Sequence, residues 1–325
     1  MKSPAHLNHP LLLTLIVLVL ALAATTHAGQ QARTASPPSA APTAGTDAAQ
    51  GPRAASNPSV APDAPKTLPP ATTQSGTDAT QAALAPARAA PDSPAALDVL
   101  KTSIKAMKLQ DSLLAGYCYQ KILEVQYLGD DLSTKKTETR LIEVTSIPHG
   151  PDIEVLVAVN GKPISEKERR KREADQRQRA KRGETQLNMR SEDLITQFDW
   201  SFAGREKVNG RQATVLAFKP KPGATYDGND SKTEKFMRKV SGRVWVDDEE
   251  STIAKMEFRS LGSVKSLGGL YWTVNSFFVR EERRRLPEGV WIDSSGEYFI
   301  DAKALLVKRI VRRQIIHTDN YRKCS

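Results

Sequence analysis

The chain has 325 residues, a formal net charge of +10 and two cysteines. Every aromatic residue lies at or beyond Tyr117, so the first third of the chain lacks the large apolar side chains that a core needs. This composition excludes a collagen-like chain, a disulfide-dense miniprotein and a polytopic membrane protein.

Residues 1–28 have the pattern of a secretory signal peptide. Lys2 precedes an apolar run from Leu11 to Ala24, and small residues lead up to Ala28. A membrane span needs about 20 apolar residues, and this run is shorter. We expect cleavage near Ala28 and a periplasmic or secreted protein. An uncleaved membrane anchor is the alternative.

Residues 29–96 consist mainly of alanine, proline, threonine and serine, which fill more than two thirds of the positions. Prolines interrupt every helix or strand pattern there, so we expect a disordered tether that keeps its backbone in water. Charges within the tether cancel, and the positive charge therefore falls on the domain at residues 97–325. A basic exported domain favours an anionic membrane surface or an acidic envelope protein over nucleic acid, which we do not expect as a partner.

Apolar residues at helical spacing predict an amphipathic helix over residues 94–113. Ser93 and Pro94 have the chemistry of a helix start, and Gly116 that of its end. The apolar stripe consists of Leu97, Leu100, Ile104, Met107 and Leu113.

Beyond Tyr117 the pattern becomes that of short strands joined by turns, among which Asn160-Gly161 and Asn209-Gly210 are strong hairpin signals. Apolar and charged residues alternate over Ile253–Arg259, which predicts a strand with one buried and one solvated face. The count is about ten strands. The segments are 117–128, 137–147, 153–159, 198–206, 212–218, 242–247, 253–260, 270–280, 290–293, 296–300 and about 304–317.

The strands are interrupted by a charged helical insertion at residues 164–196. Nine basic and four acidic residues lie between Glu166 and Arg182, and i,i+4 pairs such as Glu168–Arg172 favour an exposed helix. This surface is a candidate for docking on an anionic membrane or an acidic partner, and a solvated helix that bridges two strands is the alternative. The docking candidates are Arg169, Arg170, Arg172, Arg177, Arg179, Lys181 and Arg182.

Several segments in order carry a family resemblance. A turn at residues 160–163 leads into the charged helix, a second turn at 209–211 leads into the strand that ends at 218–223, and strands at 242–247 and 253–257 precede a third at 289–293. This order resembles the periplasmic lipoprotein-carrier superfamily, the LolA-like proteins, and more closely the outer-membrane lipoprotein-sorting-like envelope proteins grouped with them. The resemblance implies a mainly β fold with α: an open, curved antiparallel sheet, or half-barrel, covered by helices. It also implies an apolar concave face that binds acyl chains.

Large apolar residues in the predicted strands are candidates for lining such a cavity, and packing in an ordinary core is the alternative for each of them. The cavity candidates are Trp200, Trp245, Met256, Phe258, Trp272 and Trp291.

No motif indicates catalysis, a metal or a cofactor. His149 and His317 are the histidines outside the signal peptide, they are far apart in sequence, and no zinc-ligand spacing or nucleophile motif accompanies them. Cys118 and Cys324 allow one disulfide in an exported chain, and the alternative is a buried Cys118 with a free Cys324.

The sequence thus supports two main hypotheses. The first is an exported binding protein, without enzymatic activity, that shelters a lipid or lipoprotein cargo in an apolar half-barrel cavity, with the helix 94–113 as its lid. The second is an envelope interaction or signalling module without a lipid cavity, which docks through its basic surface.

Overall fold

The computed structural model describes residues 93–147, 152–181, 191–223, 237–266, 272–304 and 308–324. The predicted signal peptide and nearly all of the predicted tether lie outside these residues. The helices in the described part are α1 (Pro94–Leu114), α2 (Glu166–Lys181) and α3 (Ser191–Gln197). The strands are β1 (Tyr117–Leu128), β2 (Thr134–Thr145), β3 (Ile153–Val159), β4 (Lys162–Pro163), β5 (Phe198–Val208), β6 (Arg211–Pro220), β7 (Val240–Asp247), β8 (Ile253–Ser260), β9 (Val264–Ser266), β10 (Trp272–Arg285), β11 (Trp291–Ala304) and β12 (Lys308–Lys323).

These strands form one antiparallel sheet, in the order β4-β3-β2-β1-β12-β11-β10-β8-β7-β6-β5, with β9 paired to β10. Within the described residues β4 and β5 are the two edges and do not pair with each other, so the sheet is open. The predicted fold class, a mainly β half-barrel with an open antiparallel sheet and few helices, is confirmed.

Most predicted strands are shifted at an end by a few residues, and β10 continues to Arg285 where 280 was predicted. Three further differences change the layout of the sheet. The two strands predicted at 290–293 and 296–300 are one strand, β11, because Ser295 still pairs with Glu282 and only the register shifts at Ser294. There the Ser294 hydroxyl donates a hydrogen bond to the Glu282 carbonyl. The last strand begins at Lys308 and continues to Lys323, and the short strands β4 and β9 were not predicted. The described sheet therefore has 12 strands where about ten were expected.

Helix α1 agrees with the predicted helix to within one residue at its end, and it begins inside the stretch assigned to the tether. Ser93 occupies the N-cap position with an extended backbone, but its side chain makes no capping hydrogen bond there. Its N–H group donates instead to the Trp200 carbonyl, at 3.1 Å, and so fixes the start of the helix to β5. Gly116, at φ +82°, reverses the chain into β1.

Both Asn-Gly turns have left-handed backbones at both positions, which is the geometry that asparagine and glycine adopt most readily. Asn160 and Gly161 have φ values of +49° and +74°, and Asn209 and Gly210 have values of +49° and +81°. The first turn joins β3 to β4, and the second joins β5 to β6. Both hairpin predictions are therefore confirmed.

The two faces of the sheet are distinguished by what covers them. On the face that we call inner, Leu100, Ile104 and Met107 of α1 pack with alternate residues of β5 to β8, β10 and β11, and these residues form the largest core cluster. The opposite face, called outer, carries the residues of opposite phase, among them Trp245. Adjacent residues of β7 show the alternation, since Val244 and Val246 belong to the inner cluster and Trp245 does not.

Candidate functional site

The apolar part of the inner face is the first feature that could hold a ligand. Trp200, Met256 and Phe258, three of the six cavity candidates, lie together there and are at most 4% exposed. Apolar side chains of both α1 and α3 pack in the same cluster, so this surface is filled by the protein's own helices. A ligand on this part of the face has to displace α1.

Polar contacts fix α1 near its two ends. At the N-terminal end, the Ser93 N–H donates a hydrogen bond to the Trp200 carbonyl. Near the other end, the Trp291 N–H donates to the Gln110 side chain at 3.0 Å. Between these contacts α1 turns apolar residues to the sheet. Because such packing is non-directional, an acyl chain of similar bulk can replace it.

The remaining tryptophan candidates do not share this surface. Trp245 and Trp291 belong to a second cluster with small apolar residues of β5, β6 and β8. Their indole N–H groups donate to the carboxylates of Glu206, at 2.8 Å, and Glu250, at 2.5 Å. The six candidates therefore do not form one lining. The side chain of Trp272 lies outside the described part of the molecule.

The sequence alone did not single out a group of ionisable residues that the inner face also carries. Glu281 is buried, and its carboxylate accepts a hydrogen bond from the Tyr298 hydroxyl. Burial raises the pKa of Glu281 to about 8, so this carboxyl group is largely protonated at neutral pH. Arg283, only 3% exposed, lies 3.2 Å from the Asp293 carboxylate and donates to the Trp291 carbonyl.

The same group continues onto β1 and β3. Lys121 donates to Glu154, and the Tyr119 hydroxyl donates to Asp152 at 2.9 Å. Tyr119 stacks on Tyr321 with ring centroids 4.5 Å apart. A signal for this group was present in the sequence: in β1, Lys121 has the same period-two phase as Tyr119, so a strand with one buried face places this lysine inside.

On α1, burial raises the pKa of Asp111 to about 7, and Asp293 and Asp152 act in the same direction. This carboxyl group belongs to the end of α1 that follows the apolar stripe. The inner face therefore has an apolar part under α1 and an ionisable part beside it, a division that suits an amphiphile better than a pure hydrocarbon.

The charged helix α2 is exposed, and its arginines pair within the helix or with the neighbouring strand. Arg170, Arg172 and Arg177 pair with glutamates four residues earlier, at 2.9, 2.8 and 2.9 Å. Arg169 reaches Glu143 of β2 at 2.9 Å. The side chains of Arg179 and Lys181, and the whole of Arg182, lie outside the described part. In the part of the chain that the structure describes, no helix is both long and apolar enough to cross a membrane.

A disulfide joins Cys118 at the start of β1 to Cys324 just after β12, with a Cα–Cα distance of 5.2 Å. Beside it, the Cys324 N–H donates to the Gly116 carbonyl at 2.8 Å. The bond links two strands that are adjacent in the sheet but 206 residues apart in sequence. The disulfide therefore fixes the pairing of β1 with β12 close to the end of α1.

Comparisons with known proteins give matches among solved structures alone. No protein-family model matches the chain, and no curated protein does. One matched structure is an outer-membrane lipoprotein-sorting protein domain from Vibrio parahaemolyticus, with 16% identity, coverage of 69% of this chain and 91% of that one, and a TM-score of 0.30. A LolA superfamily protein from Nitrosomonas europaea has 9% identity, coverage of 71% and 93%, and a TM-score of 0.31.

The lipoprotein LppX of Mycobacterium tuberculosis also matches, with 9% identity, coverage of 71% and 97%, and a TM-score of 0.26. The LolA-like class that the sequence resembles is thus among the matched structures. At these TM-scores the likeness carries no argument about what this chain binds, and its function has to be inferred from its own residues.

Proposed function

We propose that this chain is an exported binding protein that shelters a lipid or acylated polypeptide on the apolar part of its inner face and catalyses no reaction. The observation that carries this proposal is the contact between α1 and the sheet. Helix α1 turns an apolar stripe to a cluster that includes Trp200, Met256 and Phe258, and Leu194 and Ile195 of α3 pack against the same cluster. In this proposal α1 is a lid that exchanges its own side chains for an acyl chain.

The energetics suit a reversible exchange. Burying Leu100, Ile104 and Met107 contributes about 1.5–3 kcal/mol each, and an acyl chain contributes about 0.8 kcal/mol for each methylene. About six to eleven methylenes therefore match what these three residues contribute when α1 leaves. Because these two contributions are close, the closed form is stable without ligand and opens when a long acyl chain binds.

The direct test is native mass spectrometry, with lipid extraction, of the protein purified from the compartment to which it is exported. We expect a bound species that carries an acyl chain. Protein that is free of lipid, and that also fails to take up a fluorescent fatty acid at micromolar concentration, would contradict the proposal.

A pair of matched variants tests the lid. Ile104→Val removes one buried methylene from the contact between α1 and the sheet, and Leu109→Val removes one from a side chain that is 62% exposed on the same helix. The first change weakens the closed form by about 1 kcal/mol. Affinity for a fluorescent fatty acid should then rise about fivefold in Ile104→Val and stay unchanged in Leu109→Val. Equal affinities in both variants would show that α1 does not compete with the acyl chain.

A second candidate function is docking through α2, favoured by the exposure of its cations. The test is co-sedimentation with anionic and neutral vesicles of the parent and of a variant in which Arg169, Arg170, Lys171, Arg172, Arg177, Arg179, Lys181 and Arg182 are changed to Gln. Glu168→Gln is a useful control, because it frees Arg172 from its partner and should strengthen binding to anionic vesicles. Equal binding by all three proteins would exclude this role.

A further inference from the structure

One row of side chains on the inner face runs from the apolar core to a cationic edge. In the register of the sheet, Phe277 lies opposite Ile300, and Ile300 lies opposite Arg312. Arg312 lies opposite Tyr127, which in turn lies opposite Lys136. Phe277 and Ile300 belong to the core cluster that α1 covers. The cationic residues are therefore the direct continuation of the apolar surface.

Arg312 is a half-buried guanidinium without an anionic partner. Among the described residues no carboxylate lies within 4.0 Å of it, and its Nε atom is buried with no hydrogen-bond partner. Burial lowers the pKa of Arg312 and the charge of Arg140 acts in the same direction, whereas Tyr127 and Glu138 act in the opposite one. The side chain stacks on the Tyr127 ring, with the guanidinium carbon 4.9 Å from the centroid. Lys136 also lies over this ring, at 5.3 Å.

Glu138, the carboxylate nearest in sequence to Lys136, already has two basic partners. Glu138 pairs with Arg140 at 2.7 Å and with Lys136 at 3.3 Å. Together with Arg312, these residues leave two positive charges uncompensated. The next residue of the strand behaves differently, since Arg313 on the outer face pairs with Glu297 at 2.7 Å. A cation that is removed from water without a partner is unfavourable unless another anion reaches it.

We propose that Arg312, stacked on Tyr127, binds the anionic head group of the same amphiphile whose acyl chain lies beneath α1. This inference rests on the proposed function and adds the class of ligand to it: a single molecule with an acyl chain and a phosphate or carboxylate group. Neighbouring strands are about 4.8 Å apart, so the head group at Arg312 lies one strand from the core residue Ile300. The chain enters the apolar part from that side.

The test compares three probes on the full-length protein by isothermal titration calorimetry: a lysophosphatidic acid, a monoacylglycerol with the same acyl chain, and glycerol phosphate without an acyl chain. We expect the lysophosphatidic acid to bind about tenfold or more tightly than the monoacylglycerol, because a charge-assisted hydrogen bond forms in a desolvated place. Glycerol phosphate should not bind measurably. Arg312→Gln should abolish the preference, and the matched variant Arg313→Gln should keep it.

Each other result has a definite meaning. If neither the lysophosphatidic acid nor the monoacylglycerol binds the parent protein, the proposed function itself is wrong. If both lipids bind the parent equally, or if Arg313→Gln loses the preference as fully as Arg312→Gln, the acyl site stands and the head-group site is wrong. Binding of glycerol phosphate as tight as that of the lysophosphatidic acid would indicate a site for free phosphate and would also overturn the inference.

A stability measurement separates a ligand-binding role from a structural one. Replacing an unpaired, half-buried cation by an apolar side chain of similar length removes a cost of burial. Arg312→Met should therefore keep or raise the thermal midpoint while it loses the preference for the lysophosphatidic acid. A clear drop in the midpoint together with an unchanged preference would show that Arg312 stabilises the fold and does not recognise a head group.

Discussion

The inner and outer faces of the sheet both bury a tryptophan almost completely, but by different means. Trp200 on the inner face is 2% exposed and Trp245 on the outer face is 1% exposed. Trp200 is covered by apolar neighbours, including those of α1. Trp245 lies under two cations, with Arg243 and Lys255 at 5.0 and 4.6 Å from its ring centroid.

The outer cover is a ladder of ion pairs that crosses the sheet. In order, it consists of Glu206, Arg243, Glu257, Arg280, Glu297 and Arg313. Long basic side chains cover apolar surface with their stems while their heads pair with carboxylates. Such a cover is directional and closed, whereas the cover on the inner face consists of apolar side chains from α1 and α3. Burial alone therefore does not identify a ligand surface; what matters is whether the covering group can be exchanged.

The largest expected effects come from truncating the two tryptophans. Trp200→Ala and Trp245→Ala should each lower the free energy of unfolding by about 3–5 kcal/mol in urea denaturation, because each removes a buried indole. Uptake of a fluorescent fatty acid should change in Trp200→Ala and not in Trp245→Ala. A loss below about 1 kcal/mol in Trp245→Ala, with reduced uptake, would reverse the assignment of the two faces.

Glu257 tests the outer ladder. It is 4% exposed and pairs with Arg280 at 2.8 Å and with Lys255 at 3.0 Å. Despite its burial, these partners lower the pKa of Glu257. Glu257→Gln should cost about 2–3 kcal/mol near neutral pH, since Arg243, Lys255 and Arg280 each lose one of their carboxylate partners.

Because the pKa of Glu257 is lower in the folded protein, its contribution is present above the unfolded value of about 4.3 and is lost as the pH falls through the folded value. Urea denaturation at several pH values should show the parent and Glu257→Gln converging in acid. A constant difference across the acidic range would contradict the role of the charge.

Glu281 gives the opposite pH dependence on the inner face. Its pKa is raised to about 8, so between about pH 4.5 and 8 the folded protein holds a proton that the unfolded chain has released. Stability from this group is therefore highest at low pH and falls as the pH rises through that window, by up to about 1.4 kcal/mol for each pH unit. Glu281→Gln should flatten this decline. A midpoint that rises from pH 5 to pH 8 equally in both proteins would contradict it.

The sequence predicted the fold well, but it did not predict which face of the sheet the charged strand residues occupy. Helical spacing located α1, and the two Asn-Gly turns located two hairpins, because both signals are local. The side on which Glu281 and Arg283 lie, relative to Val274 at the start of β10, depends on the register shift between Val274 and Ser276. In a run of consecutive charged residues, period-two alternation carries no hydrophobic contrast. The charged part of the inner face therefore follows from strand pairing rather than from pattern.

The smallest expected effect on the free energy of unfolding comes from an ion pair on α2, because solvent-exposed ion pairs stabilise a protein only weakly. Arg170 pairs with Glu166 at 2.9 Å, but both side chains are more than half exposed. Screening and lost side-chain freedom leave an exposed i,i+4 pair with about 0.3–0.5 kcal/mol. Arg170→Gln should therefore shift the free energy of unfolding by no more than that, and the shift should disappear in high salt. A loss as large as that of Glu257→Gln would mean that α2 stabilises the sheet as the outer ladder does. A negligible loss would leave the cations of α2 available for an external partner, because the helix would then not depend on this pair.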